Sequence, residues 1–496
     1  DKEEVKKEET KNEPARDQDE IAGDEVQTEE KTEAEVPAAE PEIVLLRNYA
    51  PLALTTQTLG DWQAATNLQP GEYTLALSET PADIAPITVA KDVTLYVVGN
   101  TTDNSAVAIT GYNGAESIFT IEDGGTLILD NVEITGNTVG AKGAVYAKAG
   151  SKLDLGYNDK ATRKSPKISG NTNNSAAKNL VIQEGAQVRL NAAAQAIGVT
   201  FDGEIGKTSP KALIEGGRHA IDAEDQGRIT VENAGAQWTL KNDMLVMHNT
   251  QPKVLYWYPT DTTRWTQGQN NGVGWEGLLA YSITSGWDRF AQQGADTTAV
   301  IGSQTARNSF LDDPNIGTNL EQFDMIYIVP GVDNATRQPS HTEEEINALL
   351  NYLDKGGRIF IQSEDANWHE INGAASALAQ ALNAEFTVTA EDVYFNVTIV
   401  SSSSSPLGNG IGAWPVQKAS VITYPATAKP VFVRQDNGKA ICVDVTAGSS
   451  VDSTPWGNVT VISDANIWQT GPQETFAKNL INDTVSNRIT AATGVN

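Results

Sequence analysis

Glycine-anchored alternating runs recur between residues 121 and 233, and they constrain the fold more than any other feature of the chain. IEDGGTLILDNVEITGNT (121–138) is echoed by AKAGSKLDLGYND (147–159) with PKISGNT (166–172), then by IQEGAQVRLNA (182–192) and AEDQGRITVEN (223–233). In each echo a glycine (Gly125, Gly150, Gly185, Gly227) precedes a run such as TLIL or QVRL. The period of two in those runs puts alternate side chains on one face of a strand. Asn-bearing turns recur beside them, as ITGYN from 109, ITGNT from 134 and ISGNT from 168. Gly and Asn supply the left-handed conformations that tight turns require. The glycines are unevenly spaced, so the repeat predicts coils of parallel strands with turns of unequal length, each coil stable only when stacked on the next.

Such a stack needs a cover at its end, where strand edges and apolar side chains would otherwise meet water. TLGDWQAATN (58–67) is expected to form a short capping helix with Trp62 and Leu68 packing downward, and PGEYTLALSE (70–79) to enter the first strand. In this order of cap, GxYTLxL strand and ISGNT turns, residues 43–250 resemble the pectate-lyase-like right-handed parallel β-helices of bacterial surface proteins. The resemblance implies that fold. It also implies that a polysaccharide-cleaving member would carry clustered acids with Arg or Lys on one face. The charged candidates are Asp202, Glu204, Arg218, Asp222, Glu224, Asp225 and Arg228, and the alternative reading is solvated turns.

From residue 252 the texture changes. KVLYWY, TTAVIG, FDMIYIVPG, GRIFIQS, KPVFVRQ, KAICVDV and NVTVIS read as strands with helical stretches between several of them. HTEEEINALLNYLDKGG (341–357) is the clearest helix: Thr342 and Glu345 fit a capping box, Ile346, Leu349, Leu350 and Leu353 form an apolar stripe, and Gly356 or Gly357 ends it. Strand–helix–strand spacing predicts a doubly wound α/β domain over residues 251–496, in which ligands bind beyond the carboxyl ends of the strands. Two such ends share a motif, SEDANW (363–368) and SDANIW (463–468), which makes Asp365, Asn367, Asp464 and Asn466 candidate ligand-binding residues, with His369 beside them. The alternative is that these residues cap helices. Asp365, His369 and Glu370 also form a candidate set for a hard cation such as calcium, at a spacing that is not diagnostic.

FDMIYIVPG followed by TEEEINALLNYLDKGGRIFI and an acidic corner resembles the class I glutamine-amidotransferase-like, flavodoxin-like domains and their inactive relatives. In active members the resemblance implies a nucleophilic Cys at that corner. Here the corner reads Ile361-Gln362-Ser363-Glu364-Asp365, and the one cysteine, Cys442, lies within the strand-like run KAICVDV. Ser363 lacks the glycines of a strained nucleophile elbow. The expectation is therefore a pseudoenzyme with no catalytic residue. A second candidate is the aromatic-rich stretch 256–287, where Trp257, Trp265 and Trp275 could stack on sugar faces or cover the junction between domains.

Net charge of −29 and a pI near 4.5 argue against a nucleic-acid partner and against a polybasic membrane contact. A single cysteine excludes an internal disulfide and a Cys-rich zinc site. No apolar run approaches the ~18 residues of a membrane span. Residues 1–42 hold 17 acidic and 6 basic residues and no aromatics, which predicts a disordered acidic tether. A removed signal peptide and a lipid or cell-wall anchor at the N-terminus are expected. Together these features predict an extracellular, cell-surface protein without a cofactor, acting as an adhesin or binding a glycan or a host or cell-surface protein. A carbohydrate-active enzyme and a purely structural envelope component are the alternatives.

Overall fold

The computed structural model describes residues 57–156, 164–258, 288–302, 309–330, 341–366, 369–393, 397–416, 418–449, 457–464, 467–470 and 472–494. The acidic segment 1–42 lies outside them. The echoed runs pair as their pattern demands: Thr126–Asp130, Lys152–Leu155 and Gln187–Leu190 are parallel neighbours in register. Leu127 aligns with Leu153 and Val188, and Leu129 with Leu155 and Leu190, all buried. Gln57–Leu59, Gly71–Leu77 and Val93–Gly99 extend this sheet on one side and Lys211–Gly216 on the other. A second nine-stranded sheet, including Phe119–Ile121, Val145–Ala147, Leu180–Ile182 and Ile197–Phe201, faces it across a shared apolar core. Trp62 closes one end: its ring lies 5.5 Å from that of Phe119 and its indole N–H donates to the Ala85 carbonyl at 2.8 Å.

An eleven-stranded sheet follows. Asp296–Gly302, Lys253–Tyr258, Met325–Ile328, Arg358–Gln362 and Gly457–Ile462 run parallel in that order, and Ala440–Ala447, Lys429–Arg434 and Thr398–Ser401 continue the sheet antiparallel. Helices Glu343–Asp354 and His369–Ala381 supply Leu349, Leu353, Leu378 and Ala379 to one face. Helix Gln473–Thr493 supplies Phe476, Leu480 and Ile481 to the other. The capping box forms as expected, Thr342 and Glu345 each accepting from the other's backbone N–H.

The expected right-handed parallel β-helix followed by a doubly wound α/β domain is not the architecture found. The described residues are mostly β-sheet, in four sheets of parallel and mixed pairing, with five α-helices among them. Two turns account for much of the difference. Asn242 and Asp243, both at positive φ (50° and 59°), make a two-residue hairpin that folds Met244–Asn249 back antiparallel between Ala236–Lys241 and Lys211–Gly216. Asp436-Asn437-Gly438, with Gly438 at φ 73°, joins Lys429–Arg434 to Ala440–Ala447 as a second hairpin, where winding would require a helical crossover. The fourth echo also departs: Gly227 sits inside a short helix, Ala223–Arg228, and the strand Ile229–Val231 pairs with Ile197–Phe201 of the other sheet.

The regions adjoin directly within one compact unit, Ala53–Asn496. Ser209 donates to Glu321 at 2.8 Å, Lys253 to the Gly206 carbonyl at 2.7 Å, and Asn242 to Thr493 at 2.9 Å.

Candidate functional site

The carboxyl ends of Arg358–Gln362 and Gly457–Ile462 lie side by side, because Gln362 is in register with Ile462. Ser363 and Ser463 therefore leave the sheet as neighbours, and the Ser363 N–H donates to the Ile462 carbonyl at 2.8 Å. Asn372, from the first turns of helix His369–Ala381, organises the corner. Its Oδ1 accepts from the Ser363 hydroxyl at 2.6 Å and the Glu364 N–H at 3.0 Å, and its Nδ2 donates to the Asp365 carbonyl at 2.9 Å and to Ser420 Oγ at 3.3 Å. Ser420 completes the link, since its carbonyl accepts from the Ser463 hydroxyl at 2.5 Å. The two SED and SD corners are thus one hydrogen-bonded rim.

Its charges are largely withdrawn from water. Glu364, Asp365 and Asp464 are all buried. Asp365 forms an ion pair with Lys418 at 2.8 Å, and Asp392 accepts from the Ala366 N–H at 2.9 Å. Beneath the rim, Tyr327 donates to Gln362 Oε1 at 2.8 Å, and the Trp468 indole N–H donates to Tyr327 at 3.1 Å and to the same Gln362 oxygen at 3.2 Å. Burial pushes the Tyr327 phenol well above its ordinary range, and the nearby Glu364 carboxylate adds to this, so the phenol is a fixed donor and not a base.

The chemistry open to this arrangement follows from those partners. The Ser363 hydroxyl points at an amide oxygen, which cannot take its proton, so no nucleophile–base pair forms there. Cys442 is fully buried within the strand Ala440–Ala447, and burial raises its thiol well above the usual value. What the rim does offer is a set of oriented acceptors with one cation beside them.

Of the residues singled out in the sequence, Asp365 and Asp464 are therefore brought to one rim. His369 begins its helix with an exposed side chain. Asn367, Asn466, Trp265 and Trp275 lie outside the described residues. Trp257 is no stacking platform: it is wholly buried, edge-on to Phe310 at 4.6 Å and to His341 at 5.2 Å. Among the described residues no three His, Cys, Asp or Glu side chains gather to hold a metal ion. Asn372, Lys418 and Ser420 went unnoticed in the sequence. The readable signal was Asn372, which with Ser376 is polar on the buried, alanine-rich face of Ile371, Ala374, Ala375, Leu378 and Ala379.

Six of the seven charged candidates of the first region make local contacts. Asp222 caps helix Ala223–Arg228, and Asp225 returns the capping box. Asp225 also accepts from the Ala194 N–H at 2.7 Å and pairs with His219 at 2.7 Å. Asp202 is held by Lys142 at 2.7 Å and by the Tyr146 hydroxyl at 2.7 Å, Glu204 pairs with Lys207 at 2.7 Å, and Arg228 pairs with Glu224.

No protein-family model matches the chain, and no curated protein matches it. Solved structures similar to it include a cytoplasmic protein from Salmonella typhimurium LT2, with 13% identity and a TM-score of 0.32 over 46% of this chain and 98% of that one. A thua-like protein from Bacteroides uniformis ATCC 8492 shares 10% identity with a TM-score of 0.31, over 48% and 93%. A cold-adapted β-galactosidase from Rahnella sp. R3 shares 15% identity with a TM-score of 0.30, over 47% of this chain and 31% of the enzyme. At these values the likenesses assign neither a fold nor an activity.

Proposed function

We propose that the chain is a non-catalytic binding protein of the bacterial cell surface, an adhesin or a receptor for a glycan or a host or cell-surface protein. The observation that carries this reading is the Ser363–Asn372 hydrogen bond at 2.6 Å. It commits the Ser363 hydroxyl to an amide that holds the backbone in place, leaving the rim as fixed recognition groups. The charge of −29 supports a partner other than nucleic acid. The stretch 259–287, outside the described residues, holds Trp265, Trp275, Trp287 and Tyr281 among polar residues, and that composition supports a saccharide as ligand. The test is a glycan-array screen of the full chain, with intact-mass analysis of each bound sugar. Retention of unaltered sugar is the expected result. Cleaved sugar would replace this reading with that of a carbohydrate-active enzyme.

A further inference from the structure

A groove of about 300 Å³, lined by none of the rim residues, runs between helix Glu343–Asp354 and the turn that precedes strand Met325–Ile328. The helix stripe Leu349, Tyr352 and Leu353 faces the sheet and is buried. The neighbouring stripe, Glu344, Asn347, Ala348 and Asn351, lines the groove together with Tyr352 and Thr318. These positions recur at three and four residues, so they fall on one side of the helix. Ala348, between the two asparagines, is the small residue that leaves the hollow open, and Leu320 forms part of its apolar lining. Across from the helix stands Glu321, held in place by Ser209 at 2.8 Å and facing Lys355 at 3.6 Å. Burial acts to raise the Glu321 carboxyl, but the Ser209 hydroxyl and the charges of Lys355, Lys211 and Arg488 more than offset it and hold the group below its ordinary range.

The groove thus combines two carboxylates, which only accept, with two primary amides, which donate and accept, around a small apolar surface. Among the described residues that line it none is Lys or Arg, and the nearby Lys355 is already paired with Glu321. That is the chemistry of a polyol: hydroxyls find both donors and acceptors, a C–H face finds Leu320 and Ala348, and an anionic substituent meets two carboxylates, with the nearest cation, Lys355, already paired to one of them. The volume is at the lower end of small-ligand sites, roughly 300–1,000 Å³. We propose that this groove binds one uncharged pyranose unit of a glycan and rejects acidic sugars. The inference rests on the glycan reading above but assigns a different site and a specificity.

Saturation-transfer-difference NMR on the full chain tests it, with the methyl glycosides of glucose, galactose and mannose as neutral probes and glucuronic acid as the acidic one. The expected result is transfer to at least one neutral glycoside and none to glucuronic acid, with the neutral signal falling at least tenfold in Ala348→Trp, which fills the groove. Asn347→Leu and Asn351→Leu, both at exposed positions, should weaken it while the circular dichroism spectrum stays unchanged; they keep the test usable if Ala348→Trp fails to fold. Equal transfer to glucuronic acid overturns the proposed specificity. Neutral-sugar binding that survives all three substitutions overturns the groove while leaving the glycan reading standing at another site. No transfer to any neutral probe overturns the groove proposal, and a blank glycan array beside it overturns the broader reading as well.

Discussion

Polar groups are buried in the paired nine-stranded sheets and in the eleven-stranded sheet by opposite means. In the first region one residue type repeats. Asn137 Nδ2 donates to Asn171 Oδ1 at 2.8 Å, Asn171 Nδ2 donates to Asn179 Oδ1 at 2.9 Å, and Asn179 continues to Glu232 at 2.5 Å. Asn137 and Asn171 are the asparagines of the ITGNT and ISGNT turns, and Asn137 Oδ1 accepts the Tyr112 N–H of the ITGYN turn at 3.0 Å. An amide is both donor and acceptor, so identical turns can pass hydrogen bonds from one to the next, with a charge, Glu232, only at the ladder's end. In the second region unlike residues converge from distant parts of the chain. Arg358, almost fully buried, meets Asp444 at 2.5 Å, Thr484 at 2.9 Å and also Thr460 and Asp483. Repetition yields a scaffold that extends by adding similar units; convergence yields a single unrepeated place in the fold, of the kind on which binding sites are built.

The comparison predicts that single losses are felt most where charge or bulk has no substitute nearby. Arg358→Ala strands the buried Asp444 carboxylate and should cost about 3–5 kcal/mol in urea unfolding. Replacing Arg358 with Met and Asp444 with Leu together should recover part of that loss, since the buried Asp444 charge is removed along with its partner and the partly exposed Asp483 keeps its bond from Asn487. A double variant no better than Arg358→Ala would mean that packing, not pairing, governs the site. Trp257→Ala should be of similar size, about 3–5 kcal/mol, through the cavity it opens beside Phe310. A variant that folds with wild-type stability would contradict the core role of this ring.

The ladder should be more forgiving. Asn171→Ala removes both ladder links and its bond to the Ile134 carbonyl at 2.8 Å, for an expected loss of about 2–3 kcal/mol by thermal or urea denaturation. Asn179→Ala, nearer the Glu232 end, should perturb it comparably, and the two losses should not add, because the residues share partners. At the rim, Asn372→Ala should cost about 1–3 kcal/mol, whereas Asn372→Asp keeps the acceptor for Ser363 and Glu364 but adds a carboxylate among the buried Glu364, Asp365 and Asp464 and should cost more. Equal losses in the two variants would show that the lost donor side, toward Asp365 and Ser420, outweighs the added charge.

The smallest expected effect is a pH dependence at the junction of the regions. His248 contacts the Thr239 hydroxyl at one ring nitrogen, 2.8 Å away, and the Asn249 carbonyl at the other, 2.9 Å away. Burial lowers its pKa, while the Asn249 carbonyl and Asp324 partly oppose the shift. The unfolded chain then binds the proton more readily than the folded one. The stability associated with the neutral ring is present above about pH 6.5 and is lost as pH falls below it toward the folded value. Unfolding in urea from pH 8 to pH 5 should reveal this slope, and His248→Gln should flatten it. An unchanged slope in the variant would assign the effect to other groups.

Much of the local structure was legible in the sequence for a plain reason: it depends on neighbours along the chain. The TLIL, KLDL and QVRL runs carry their own inward face, the capping box of Thr342 and Glu345 is closed within four residues, and the recurring asparagines mark turns wherever they occur. The lack of a cysteine or a glycine elbow at the Ser363 corner was equally plain. Pairing was not legible, because a strand pattern specifies which side is apolar and leaves the partner strand to contacts remote in sequence. Only in the folded chain does the Asn242–Asp243 turn send a strand back antiparallel, and only there do Asn372 and Ser420 stitch the two corners together. Trp257 illustrates the same division. Its sequence neighbourhood is polar and aromatic, as a binding surface would be, yet Phe310 and His341, more than fifty residues away, enclose it. Composition and period determine what each segment can become; the long-range packing of sheets and helices decides which of those segments are buried and which are left to meet a ligand.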